Sequence, residues 1–277
     1  LSRREWLRTA TLALPMLATF GTVAVSVPQR AHFRVRRIAV PVPDLPPALA
    51  GLTLTHLSDT HAGKFTQDET LRRLADAINR LDSDLVLLTG DLIDHSLEDL
   101  PAALDMLAAL QPRLGVFAVE GNHDLFDDAR EFRAALPARG IPLLLDQSAL
   151  VRAKGHPVEI MGVSWAARDL DLAARVDQLM ARRDPDAFPI LLAHHPHAFD
   201  PAAARGVPLT LAGHTHGGQL MVTPEIGAGP LMFRYWSGLY QRGRSSLVVS
   251  NGAGNWFPLR TAAPAEIIHL TLVPQRA

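Results

Sequence analysis

The sequence predicts an α/β fold in which two sheets pack face to face with helices on the outside. Three observations carry this. Apolar, strand-like runs alternate with stretches of helical periodicity, the pattern turns mostly to strands from residue 209 onward, and five of the apolar runs end in a short polar cluster. Alternating strands and helices build one layered sheet, and a strand-rich ending supplies another. The clusters are Asp59-Thr60-His61 after residues 52–57, Gly90-Asp91 after 85–89, and Gly121-Asn122-His123-Asp124 after 116–119. His194 follows residues 190–193, and Gly213-His214-Thr215-His216 follows 209–212. Buried strands that release such residues at their C-terminal ends place them along one sheet edge, where open α/β folds build their sites.

Residues 38–42 alternate and are bounded by prolines, which reads as an edge strand. Thr66 with Glu69 has the form of a capping box, opening a helix with Leu71, Leu74, Ala75, Ile78 and Leu81 on one face. A strand over 84–91 follows, then a helix through Leu104, Leu107, Ala108 and Leu110. After residues 115–119 comes a helix near 129–136, ended by Pro137 and Gly140. Residues 158–163 read as a strand and 170–180 as an amphipathic helix, with later strands at 220–222, 247–249 and 267–272.

The chain of 277 residues has no linker or low-complexity tract, and a cut between 59 and 216 would divide the clusters, so one domain over 38–277 is expected. A hydrophobic content of 48% supports a sizeable core. There are no cysteines, which excludes disulfides and thiolate metal sites. Residues 1–27 carry +2 and residues 28–37 carry +4, so a total of −1 leaves −7 for the rest. An acidic body gives no support to nucleic-acid binding. A monomer is expected. The Asp, His and Asn of the clusters form a borderline-to-hard donor set, which suits Mn, Fe, Zn or Ni and argues against copper(I) or an iron–sulfur cluster.

Arg3-Arg4, Leu7 and Arg8 ahead of an apolar stretch over residues 9–27 resemble a twin-arginine export signal. The other reading is a single membrane-spanning helix, although Pro15 and Gly21 weaken it. Residues 24–26 match a cleavage site poorly, so an uncleaved tether is also open. Residues 28–37 read as a basic linker whose Arg30, Arg34, Arg36 and Arg37 either touch anionic headgroups or stay solvated. An exported protein of the periplasm or cell surface is expected.

In order, the five clusters resemble the calcineurin-like metallophosphoesterases, whose pattern is D-x-H, G-D, G-N-H-D, a lone His and G-H-x-H. The likeness continues through residues 213–219, 238–240 and 252–260, which are similar to an exported, single-domain bacterial phosphodiesterase branch, and covers roughly residues 38–273. It implies a four-layer α/β/β/α sandwich of two mixed sheets. It also implies two divalent ions, the first held by Asp59, His61 and His216 and the second by Asn122, His194 and His214, with Asp91 bridging them. A bridging carboxylate would let both ions share one hydroxide that attacks phosphorus. By the same resemblance His123 faces the leaving-group oxygen and donates to it, with Asp124 orienting its ring; read alone, Asp124 caps the helix that follows.

His194 is the ligand of the His194-His195 pair because it directly follows the strand. His195 and His197 line the rim or belong to a solvated loop, and His56 reads as a hydrogen-bonded core residue. Gly217 and Gly218 permit close backbone approach. Trp236, Tyr240, Trp256 and Phe257 form a substrate wall or are simply packed. The expected function is hydrolysis of a phosphodiester or phosphomonoester. A pyrophosphatase acting on a nucleotide-linked lipid precursor such as UDP-diacylglucosamine is the rival enzyme, disfavoured by export. A non-catalytic metal-dependent surface binding protein is the rival from another class, disfavoured by His123 and Asp124.

Overall fold

The computed structural model describes residues 2–29, 32–223 and 225–275. In chain order the elements are α1 (Arg3–Gln29), β1 (Phe33–Val42), β2 (Thr53–Leu57), α2 (Asp68–Asn79), β3 (Leu85–Thr89) and α3 (Leu100–Ala108). Next come β4 (Val116–Val119), α4 (Ala129–Ala138), β5 (Gln147–Ala153), β6 (His156–Gly162), α5 (Asp169–Arg182) and β7 (Phe188–Leu192). The remainder is α6 (Phe199–Ala204), β8 (Leu209–Ala212), α7 (Ala228–Met232), β9 (Gly238–Arg242), β10 (Ser245–Val249) and β11 (Ala265–Pro274).

Among the described residues the strands form two mixed sheets, ordered β1-β11-β2-β3-β4 and β5-β6-β7-β8-β10-β9. In the first, β2, β3 and β4 run parallel and β11 is antiparallel to β2. In the second, β6, β7, β8 and β10 run parallel, with β5 and β9 antiparallel at the edges. The side chains of β2 and β3 alternate between two apolar layers, as a strand period of two requires. Leu57, Val86 and Leu88 meet Leu74, Leu104 and Phe132 of the helices α2, α3 and α4. Leu54, Leu85 and Leu87 meet Ile160, Ile190 and Leu211 of the second sheet. On its far face that sheet packs Met161 and Leu191 against Val176, Leu179 and Ala202 of α5 and α6. The result is a helix, sheet, sheet, helix sandwich, as expected.

Several expectations are corrected. Strand β1 begins at Phe33, not residue 38, so the second half of the basic stretch read as a linker is sheet. It pairs with β11 in parallel, and Arg34 and Arg36 reach the buried Glu266 at 2.7 and 3.5 Å, so both are paired within the fold. Arg30, read with them, lies outside the described residues. Thr66 forms no capping box: α2 starts one residue past Gln67, and the buried Thr66 hydroxyl instead accepts from Asn255 N–H. Residues 220–222 make only isolated bridges, to Thr261 and Gly227, and Leu220 and Val222 are exposed. Strand β5 was not anticipated. The stretch 9–27 lies in α1, which exposes Trp6, Leu14, Met16 and Phe20. Among the described residues no helix is long and apolar enough to cross a membrane.

Candidate metal centre

The predicted ligands come from the C-terminal ends of five parallel strands, but from two sheets rather than one edge. Strands β2, β3 and β4 deliver Asp59, Asp91 and Asn122, and β7 and β8 deliver His194 and His214. Each chain must turn sharply as it leaves its strand. Asp59, His61, Asp91, His214 and His216 all take left-handed backbone angles, with φ between 44° and 71°. Such angles cost non-glycine residues about 1–3 kcal/mol each and persist where the surroundings over-determine them, often at functional sites. Gly90, at φ 91°, allows the loops to meet: a Cβ there would lie 2.6 Å from Gly121 N and 2.8 Å from His194 Nδ1.

Two donor groups result. In the first, His61 Nε2 and His216 Nε2 are 3.0 Å apart, and Asp59 Oδ1 lies 3.3 Å from His216 Nε2. In the second, His194 Nε2 lies 3.1 Å from Asp91 Oδ2 and 3.2 Å from His214 Nδ1. Asp91 Oδ2 is also 3.6 Å from His61 Nε2, so this carboxylate stands between the groups. Within each of Asp59–His61–His216 and Asp91–His194–His214, one donor atom per residue lies within 4.8 Å of the others. Asn122 Oδ1 is buried without a hydrogen-bond partner. A buried carbonyl left unpaired in this way calls for an explanation, and a cation supplies one. The donor chemistry and this orphaned oxygen fit divalent ions.

The charges agree. Burial brings His214 down to about 3 and His216 to about 4, which leaves their rings neutral and able to donate a lone pair. Burial alone would lower His194 too, but the Asp91 carboxylate raises it to about 9, and His194 in turn holds Asp91 at about 2 against burial. A ligand ring must surrender its proton, so metal uptake at His194 is linked to proton release.

His123 sits beside His61, with ring centroids 4.6 Å apart and nearly perpendicular. Its Nδ1 donates to the Asp94 carbonyl at 2.5 Å and lies 3.4 Å from Asp94 Oδ1, an oxygen also 3.5 Å from His61 Nδ1. Burial would lower His123, but Asp94 raises it; burial would raise Asp94, but His123 and His61 hold it well below the usual carboxylate range. Asp94 therefore does what was expected of Asp124. Its only signal in the sequence is its position, three residues past Asp91 in a loop.

Asp124 is corrected in both of its readings. Its carboxylate accepts N–H bonds from Gly121, Asp91, Leu92 and Ile93 at 2.8 to 3.1 Å, so it ties the Asp91 loop to the Asn122 loop. The next helix, α4, is capped by Asp128 instead. Burial and the Asp91 charge push Asp124 up to about 7 against the pull of its backbone donors.

The rim is aromatic. Trp256, 45% exposed, lies 6.1 Å from the His123 ring and 6.3 Å from that of His216, with Phe257 against it at 5.6 Å. Phe126 covers the other side of His123 at 4.6 Å, and Trp165 faces His194 at 5.4 Å and His214 at 5.2 Å. Neither Phe126 nor Trp165 belongs to a motif, so neither was anticipated. Trp236 and Tyr240 pack on each other instead. His195 accepts from His197 N–H and lies 4.9 Å from the His214 ring, which places it at the rim rather than in a solvated loop. His197 meets Asp169, and the buried His56 bonds Thr89 Oγ1 as expected.

With these groups in place, the family model for the calcineurin-like phosphoesterases matches residues 52–218. The chain belongs to this family. It is thereby grouped with metal-dependent phosphoric ester hydrolases. This calcineurin-like phosphoesterase is 32% identical over 95% of its length to a transmembrane protein with metallophosphoesterase domain from Danio rerio, of which it covers 62%. It is 32% identical over 81% of its length to an uncharacterized metallophosphoesterase of Helicobacter pylori, of which it covers 60%. The chain thus spans about three fifths of these two relatives. A Bacillus subtilis metallophosphoesterase is 30% identical over 82% of this chain and 81% of its own length. A solved archaeal phosphodiesterase aligns over 73% of this chain and 84% of its own at 13% identity, with a TM-score of 0.41.

Proposed function

We propose that the chain hydrolyses phosphate esters with two divalent ions, one at Asp59, His61 and His216 and the other at Asn122, His194 and His214. The observation that carries this reading is Asp91 standing between the two donor groups, with its carboxylate within 3.6 Å of a histidine of each. Bound ions would supply Lewis acidity toward the phosphoryl oxygens and an activated water. The protein does the rest. Asn122 contributes a neutral oxygen, so the centre stays positive toward an anionic ester. His123, held by Asp94 and raised by it, offers a proton from its free ring nitrogen to the leaving-group oxygen. Trp256, Phe126 and Trp165 shield the reacting phosphorus from bulk water and give the ester's organic group a surface to lie on.

The test separates ligand from acid. His123→Ala should keep its metal and lose about 10² to 10⁴-fold in turnover on esters with poor leaving groups. The loss should shrink on a nitrophenyl ester, which departs without a proton. Loss of metal together with activity, or unchanged rates on both substrates, would refute this role.

We also propose that the protein is exported by the twin-arginine route, from Arg3-Arg4 ahead of the uncharged stretch of α1. Lys at both positions should leave it in the cytoplasm; normal export in a fractionation assay would count against the proposal.

A further inference from the structure

Arg260 is fully buried behind the first donor group. Its Nε donates to Asn255 Oδ1 at 2.9 Å, and its Nη1 donates to the Asn251 and Ala263 carbonyls at 2.9 and 2.8 Å and to His216 O at 3.4 Å. Its Nη2 donates to the Gly254 carbonyl at 2.8 Å and lies 3.1 Å from His216 Nδ1. Every guanidinium nitrogen is thus engaged, yet none of these partners is a carboxylate. A buried cation without a direct counter-ion is costly, and an apolar side chain of similar volume would fill the space at lower cost. A guanidinium keeps its proton in proteins, so the charge stays.

The position of that charge gives it a use. Ligand histidines usually donate their outer N–H to an acceptor. His194 does so, to Thr89 O at 2.7 Å, and His61 Nδ1 faces Asp94. His216 alone among these three faces a donor. A guanidinium has no lone pair, so the Nδ1 lone pair must point at Arg260, which turns Nε2 toward His61 and Asp59.

We infer that Arg260 is the positioning residue for His216: it fixes the ring that serves the first ion and ties that ring to the loop over residues 251–263. The same guanidinium that meets the Nδ1 edge of the ring donates to the His216, Asn251, Gly254 and Ala263 carbonyls, so ring and loop are held by one rigid fork. The inference rests on the metal reading of His216 given above.

Titration of the purified full chain with Co²⁺, followed by absorption and by bound metal per chain, tests it. The wild type should show two sites. Arg260→Met should weaken one of them about 10 to 100-fold, as loss of an outer-shell partner does, and leave the other unchanged. Arg260→Lys, which keeps the charge but not the fork, should fall between. If the Met variant does not fold, Asn255→Ala removes the Nε partner, leaves the Nη contacts in place and should weaken the same site by less. Equal weakening of both sites, or of neither, would overturn the role of Arg260 and leave the metal reading standing. No cobalt uptake by the wild type would overturn that reading itself, and this inference with it.

Discussion

The Asp59–His61–His216 group is sealed from solvent and braced by charge, with Asp94 behind one ring and Arg260 behind the other. His194 and His214 of the second group are braced differently: His194 by a backbone carbonyl, and the half-buried His214 by the Trp165 ring. The donors differ too. The first group has the Asp59 carboxylate besides Asp91, while in the proposed assignment the second would have the neutral Asn122 oxygen. More anionic donors and a rigid, charged surround should make the first position the tighter one. The second, where His214 is only half-buried, would on the proposed function be where an ester and exchanging water have access. One end is built to hold, and the other to admit.

The sharpest way to break this contrast is at Asp94. It serves the first group through His61 and the proton donor through His123, and it touches nothing in the second. Asp94→Asn should weaken one metal site about 10 to 100-fold, spare the other, and steepen the dependence of rate on leaving group, slowing esters with poor leaving groups most. Metal titration combined with rates on good and poor leaving groups checks this, and equal loss at both sites would erase the contrast.

A smaller effect should come from the open end. Trp165→Ala removes the wall beside His194 and His214 without touching a donor atom. It should cost about 0.5–1.5 kcal/mol of substrate binding, roughly a twofold to tenfold rise in KM for aromatic esters, with metal content unchanged. Steady-state kinetics on matched aromatic and methyl esters would reveal it, and an equal rise for both esters would deny Trp165 a part in binding.

What could be read from the sequence follows the same division. The ligand-bearing strands were legible because each is a fully buried apolar run that stops at a polar cluster, and their positions fell within a residue or two. The first half of β1 was not, because its outward-facing Arg34 and Arg36 read as linker charge until Glu266, far along the chain, came beside them. The Thr66 capping box failed for a related reason, since Asn255 competes for its hydroxyl. At the site, six of the seven expected donors gather in two groups and the seventh, Asn122, has a buried unpaired oxygen, but their supports were misassigned or unseen. Asp94 and Arg260 act through contacts that span 29 and 44 residues of sequence, and no local pattern announces such partners. Asp124 looked like a partner of His123 because it is its neighbour in sequence, yet its carboxylate turns back onto the amides of the Asp91 loop.

The central claim is that Asp91 joins two ion sites into one centre. Elemental analysis of bound metal per chain, on the reconstituted wild type beside Asp91→Asn, tests it most directly. The account predicts two ions in the wild type and weakened retention of both in the variant, because the carboxylate serves each. A wild type that holds at most one ion, or a variant that loses one and keeps the other at full strength, would contradict it.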